Sequence, residues 1–198
     1  QLPPCLIGLE ACGGAHHWVR VFSEFGHTVK MIAPQFVKPY VKSNKNDAVD
    51  AEAICEAVQR PSMRFVPSKS IEQQDIQSVH RVRSLLVGRR TAQANQIRGL
   101  LMEYGIVIPQ GISTLRKAIP DLLEDAENTL SPYFRELLRE LYDEIVHFDE
   151  RIETIELKLK VISVQNEDCQ RLLTIPGVGL LTATALIAAI GDISVFKS

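Results

Sequence analysis

The sequence predicts an α/β unit followed by a longer all-α region, and three patterns carry that expectation. Over the first 68 residues short apolar runs alternate with amphipathic stretches, the order of a strand–helix–strand–helix unit with a parallel sheet. From Ser70 to Gly105 the chain reads as one long helix. From Phe134 to Ile162 apolar residues recur in alternating steps of four and three, the seam of a coiled coil.

"CLIGLEACGG" opens with an apolar run that suits a buried strand ending at Glu10, then a Gly-Gly turn. "AHHWVRVFSEFG" places Trp18, Val21, Phe22 and Phe25 on one side of a helix that Gly26 stops. "HTVKMIAP" is a second strand closed by Pro34, "DAVDAEAICEAVQR" a helix ended by Pro61, and "MRFVP" a third, short strand. Ser70 and Gln73 form a capping box for the long helix, and Gly105 is its stop. A loop rich in Gly, Pro and Ser follows, with a short helix near Ile112 to Asp125.

The seam helix starts with Ser131 as N-cap and Pro132 at its first position. Phe134, Leu138, Leu141, Ile145, Phe148, Ile152, Ile155, Leu159 and Ile162 make its stripe, which calls for a helical hairpin or a dimer. Last, "EDCQRLLTIPGVGLLTATALIAAIGD" has the outline of a helix-hairpin-helix ending at Gly191. The expected domains are 1–68, a partial α/β domain; 69–164, a helical connector; and 165–198, the start of a further domain.

Composition excludes little. Hydrophobic residues make up 45% and charged residues 23% of 198, and the formal net charge is −2, ordinary for a globular chain. The near-neutral total conceals a basic segment, Arg81 to Met102, with five arginines and no acid, and an acidic one, Asp121 to Glu127, with four acids and no base. Cys5, Cys12, Cys55 and Cys169 show no Cys-x-x-Cys and no zinc spacing, so a reduced, cytoplasmic protein is expected. The longest apolar stretch, Leu180 to Ile190, is broken by Thr182 and Thr184 and is too short to cross a bilayer, so no membrane partner is expected. The chain starts at Gln1 and stops at "SVFKS", which reads as a fragment at both ends.

Three candidate sites emerge. Asp47 and Asp50 stand three apart at the start of a helix, where they could favour the helix dipole as cap and first-turn acids or hold a metal. Glu10 closes a buried strand, and clusters of Asp and Glu are what Mg²⁺ prefers. Two such ions would stabilise the attacking and leaving oxygens of a phosphoryl transfer. Arg81, Arg83, Arg89, Arg90 and Arg98 could solvate one helix face, or meet phosphates without competing acids. Gly177 and Gly179 in Pro-Gly-Val-Gly punctuate a helix start and could also expose N–H groups to a phosphate. His16, His17, His27, His80 and His147 have no ligand spacing and read as structural or surface residues.

"IGLEACGGAHHWVRVFSEFGHTVKMIAPQFVKPYVKSNKNDAVDAEAI", "RVRSLLVGRRTAQANQIRGLL" and "LLTIPGVGLLTATALIAAIGD" together resemble an insertion-sequence transposase of the DEDD type. The group is IS-one-ten, more narrowly its IS-eleven-eleven branch, and the resemblance runs over nearly the whole chain. It implies a RuvC-like domain of the ribonuclease H fold, a coiled coil that supports dimers or tetramers, and a C-terminal transposase domain. It also implies excision and insertion of the element through DNA strand transfer, Mg²⁺ (or Mn²⁺) as cofactor, DNA as partner, a structured guide RNA, and a bacterial cytoplasm. By motif, Glu10 is the second of four acidic metal ligands, and Asp47 and Asp50 are the third and fourth. The first Asp belongs upstream of Gln1 and a nucleophilic Ser downstream of Ser198; neither Ser194 nor Ser198 sits in that motif, so this piece alone is expected to be inactive. A rival expectation is a non-catalytic, dimeric nucleic-acid-binding module, and a third is a scaffold coiled coil without nucleic acid.

Overall fold

The computed structural model describes residues 2–41 and 46–190, and the chain divides into two compact units, one of Gln1–Gln74 together with the residues from Ala188 on, the other of Asp75–Ile187. In the first unit β1 (Leu6–Glu10) and β2 (Thr28–Ile32) pair in parallel, with Leu6 opposite Thr28 and Glu10 opposite Ile32. The crossover between them is α1 (Ala15–Glu24), set between two glycines in the left-handed region, Gly14 at φ 83° and Gly26 at φ 84°.

α1 does not bury the stripe its aromatic spacing suggests. Ala15 and Val19 turn inward onto Met31, while Trp18 stays half exposed with its ring stacked on Phe22 at 5.5 Å. Small residues are the ones that fit where a helix sits directly on a sheet, so the aromatic side faces out.

After β2 the chain makes a single helical turn, α2 (Pro34–Val37), and a 3-10 turn over Lys38–Tyr40, neither legible from the proline alone. α3 (Asp47–Val58) then packs Ala53, Ala57 and Val58 with Ile32 and Val37. β3 (Phe65–Val66) completes the sheet in the order β1-β2-β3. The expectation of a purely parallel sheet needs correction here, because β3 pairs antiparallel to β2, Phe65 opposite Ile32 and Val66 opposite Met31. The turn in which the Met63 N–H bonds the Arg60 carbonyl (3.1 Å) delivers the chain to the carboxyl end of β2, and it runs back from there.

The second unit is helical. α4 (Ile71–Met102) opens with the expected reciprocal cap: Ser70 Oγ accepts from the Gln73 N–H (3.1 Å) and Gln73 Oε1 from the Ser70 N–H (3.0 Å). α6 (Pro132–Gln165) is capped by Ser131, whose Oγ accepts from the Phe134 N–H. The two run antiparallel, since Arg83 meets Glu156 and, seven residues on, Arg90 meets Asp149, seven residues back. Ala94, Ile97 and Leu101 share one core with Leu138 and Ile145.

Between them α5 (Ile112–Glu124) contributes Leu115 and Ile119 to that core, and it carries Pro120 in its interior. Proline has no N–H for the carbonyl of Arg116; the Tyr142 hydroxyl donates to that carbonyl instead, at 3.3 Å. Arg135 gathers the exit of α5, donating to the carbonyls of Leu122, Leu123, Asp125 and Leu130 and to the Asn128 side chain. Finally α7 (Glu167–Leu173) and α8 (Leu180–Ala189) flank the Pro-Gly-Val-Gly turn. The expected stop at Gly191, and Ser194 and Ser198, lie outside the described residues. No helix among the described residues is long and apolar enough to cross a membrane.

Candidate functional site

The three carboxylates arise from two elements. Glu10 is the last residue of β1. Two residues before it, Gly8 faces α3 so closely that a Cβ there would lie 2.8 Å from Ile54 Cγ2 and 3.1 Å from Val58 Cβ. Side chains two apart on a strand share a face, so Glu10 belongs to the face that α3 covers.

On α3 the cap is neither aspartate. Asn46 accepts the Val49 N–H at 2.9 Å, which makes Asp47 the first helical residue, and among the described residues neither carboxylate makes a capping bond. Asp47, Asp50 and Ile54 follow one another on adjacent turns of one stripe, and Ile54 is the residue that meets Gly8. Glu10 and Asp50 are partly buried and Asp47 is exposed. Among the described residues none of the three pairs with an arginine or lysine.

This donor set, carboxylate oxygen throughout and unpaired, suits a hard divalent cation. The geometry is less complete: among the described residues no three His, Cys, Asp or Glu side chains gather closely enough to hold a metal ion. The structure thus sets Asp47 beside Asp50 and puts Glu10 on the sheet face under α3, without closing the three into one shell.

The five arginines divide in a way their common helix conceals. Arg83 donates to Glu156 (2.8 Å). Arg90 pairs with Asp149 (2.5 Å), which also meets Arg116 at 3.2 Å. Arg98 holds the loop ahead of α5, donating to the carbonyls of Pro109 (3.3 Å) and Gly111 (2.7 Å). Arg81 and Arg89 are exposed and, among the described residues, have no hydrogen-bond or ion-pair partner. Gly8, Asn46 and Asp149 are the position-setting residues that sequence reasoning passed over; Asn46, directly ahead of a helical run, was the one with a visible signal.

In the Pro-Gly-Val-Gly segment the Val178 N–H bonds the Ile175 carbonyl at 3.0 Å, with Pro176 second and Gly177 third at φ 86°. That is a type II turn, which asks for Gly at the third place on geometric grounds alone. Gly179 gives its carbonyl to the Ala183 N–H at the start of α8.

Three of the five histidines make hydrogen bonds that tie one segment to another. His16 accepts the Lys69 N–H at 3.2 Å, His27 accepts the Cys5 N–H at 3.2 Å, and His80 Nε2 lies 2.9 Å from Thr184 Oγ1. The Thr184 hydroxyl also lies 2.8 Å from the Leu180 carbonyl. Burial, then Lys69 and Arg20, hold His16 below the usual histidine range. Burial, then Arg83, do the same for His80.

Comparison with known proteins agrees with these motifs. Residues 1–106 match a DEDD-type IS110 domain described as "Transposase", and residues 169–198 match the "Transposase IS116/IS110/IS902 family". The chain is 49% identical over its whole length to a probable family 20 transposase of Pseudomonas aeruginosa, covering 59% of that protein. It is 48% identical over 97% of its length to the transposase for insertion sequence element IS1111A of Coxiella burnetii, covering 52% of it. With the transposase for IS1328 of Yersinia enterocolitica it shares 46% over 96% of its length, covering 56% of that relative. The chain therefore spans between half and three-fifths of these relatives, and with a family domain matched over more than half its residues it belongs to the IS110 family of insertion-sequence transposases.

Proposed function

We propose that the protein carrying this chain excises and inserts its element by DNA strand transfer, and that Glu10, Asp47 and Asp50 are three of four carboxylates of a Mg²⁺ (or Mn²⁺) site. The carrying observation is the Gly8 contact, which seats α3 on the strand that ends in Glu10. The absence of any salt-bridge partner for the three acids among the described residues supports the same reading. A bound divalent cation supplies charge neutralisation at the scissile phosphodiester. The carboxylates fix where that charge sits, and the fourth comes from outside the residues described.

The first 68 residues are, on this reading, part of a ribonuclease H-like, RuvC-like domain. Residues 69–164 form a coiled-coil connector through which copies associate as dimers or tetramers, and residues 165–198 open the C-terminal transposase domain. That domain contributes the attacking serine. DNA is the substrate, a structured guide RNA selects it, and Arg81 and Arg89, with the turn at Gly177 and Gly179, are the contacts to nucleic acid.

The test is element excision by the intact protein carrying Asp47→Ala or Asp50→Asn, with Mn²⁺ titrated into the purified protein in parallel. Excision is expected to fall about 100-fold or more, the scale of removing one stabilising group from a charged transition state, together with weaker metal binding. Normal excision by the Asp47→Ala protein would sink the metal assignment. A purely nucleic-acid-binding module would bind DNA identically with and without these acids and take up no metal.

A further inference from the structure

We propose that two copies of the chain associate in parallel through a second apolar stripe on α6, made of Thr154, Leu157, Val161 and Val164, on the side of the helix opposite its core-facing one. The proposal rests on the reading above that copies meet through the connector, and it supplies the face, the orientation and the charges that pair.

The stripe that the sequence announces on α6 is not free to receive a second copy. Leu138 and Ile145 pack with Ala94, Ile97 and Leu101, and Ile152 and Leu159 are buried as well. At 100° per residue, Leu157, Val161 and Val164 project from the far side of the helix relative to Ile152 and Leu159. They are 56%, 56% and 68% exposed, and with Thr154 they follow one another in steps of three, four and three. A helix with one apolar stripe buried and another in water at coiled-coil spacing has a face left for one more helix.

Side-chain type and charge identify that helix as the same one in a second copy, running parallel. Thr154 and Val161 take the a positions and Leu157 the d position between them, and β-branched residues at a with leucine at d favour two parallel strands. The Thr154 hydroxyl donates to the Glu150 carbonyl at 2.9 Å, which leaves its methyl group to the seam. In a parallel pair each g position faces the partner's next e position, so Glu153 meets the partner's Lys158 on both sides of the seam. Neither Glu153 nor Lys158 has an ion-pair partner of its own among the described residues. An antiparallel pair would set e against e and g against g, so Lys158 would face Lys158 and Lys160 would face Lys160, a like-charge clash. Glu150, at the d position before Thr154, would bring two carboxylates together, so the seam runs from Thr154 to Val164, about 15 Å. A contact of that length suits a reversible dimer.

Sedimentation equilibrium of the whole chain over a range of concentration tests this. A monomer–dimer equilibrium is expected, weakened about 100-fold or more by Leu157→Ser with Val161→Ser. The diluted variant should keep the Tm of the diluted parent, because both side chains lie outside the core. Glu153→Lys alone and Lys158→Glu alone should each weaken the dimer, and the two together should restore it. With Cys5→Ser, Cys12→Ser and Cys55→Ser to remove the exposed thiols, Val164→Cys should cross-link to its own counterpart on oxidation. An antiparallel pair would set residue 164 opposite Thr154 and hold the two thiols about 15 Å apart, too far to bridge. Dimers that survive the double serine substitution would overturn the proposal and leave self-association to another face. A chain monomeric at every concentration would remove self-association itself, and the proposal with it. If the intact protein carrying the serine pair keeps its assembly but melts lower, a segment of the same chain covers the stripe and the proposal is wrong.

Discussion

Gly8 is the residue on which the candidate site turns, because it sets the separation of β1 and α3. Adding one methyl there brings carbon within 2.8 Å of Ile54 Cγ2 and 3.1 Å of Val58 Cβ, closer than packed atoms tolerate. Gly8→Ala should destabilise the chain by about 1–3 kcal/mol in chemical denaturation, the usual cost of overpacking. Adding Ile54→Ala should recover part of the loss, since the two residues then couple; additive effects would show that the contact is not the cause. Little of this was legible beforehand. Glu10, Asp47 and Asp50 announce themselves by type and spacing, but Gly8 matters only through a residue 46 positions later. The arginines share the difficulty: Arg83 finds its acid 73 residues on, and Arg90 finds its own after 59. No local pattern distinguishes them from Arg81 and Arg89.

Among the elements, α4 and α6 were the easiest to foresee. Capping boxes and apolar repeats are local, and Ser70, Gln73 and Ser131 all make the bonds their positions call for. The repeat also carried more than helicity. Leu138, Ile145, Ile152 and Leu159 are buried, whereas Leu141, Phe148, Ile155 and Ile162 are only partly so, because one row faces the core and the other flanks it. β3 was misjudged in direction because two residues hold no information about which end of the sheet they enter.

The weak point of the helix pair is polar. Asp149 serves Arg90 and Arg116 together with its side chain 17% exposed, and Arg90 Nε is buried without a partner. Asp149→Ala strands that guanidinium, so urea denaturation should show a loss of about 1–3 kcal/mol, somewhat below the cost for a fully enclosed pair. Replacing both partners, Arg90→Met with Asp149→Leu, should cost less than Asp149→Ala alone.

Across the whole molecule the two units share one dependence on acidity. His16 lies in the first and His80 in the second, and burial chiefly holds both below the ordinary histidine range. Each folded unit therefore prefers the neutral ring, while the unfolded chain takes up a proton near the free value of about 6.5. Their contribution is intact above that pH, declines as pH falls through it, and levels off below the folded-state values. Thermal melts should show Tm decreasing from pH 7 toward pH 5, and His80→Gln should make the decrease shallower. A Tm that holds constant over this interval would contradict the assignment.

The paired contacts of the hairpin also work as a ruler. Arg83 to Arg90 is one heptad on α4 and Asp149 to Glu156 is one heptad on α6, run in opposite directions. Inserting a single residue in either arm would swing every later side chain by about 100° and part the charges from their partners. The arms can lengthen only together and in steps that restore the helical phase, seven residues being the shortest such step, adding about 10 Å to both. Length in this hairpin is thus quantised: related chains with a longer or shorter arm should differ from this one by whole steps of this kind, matched on the two sides of the bend.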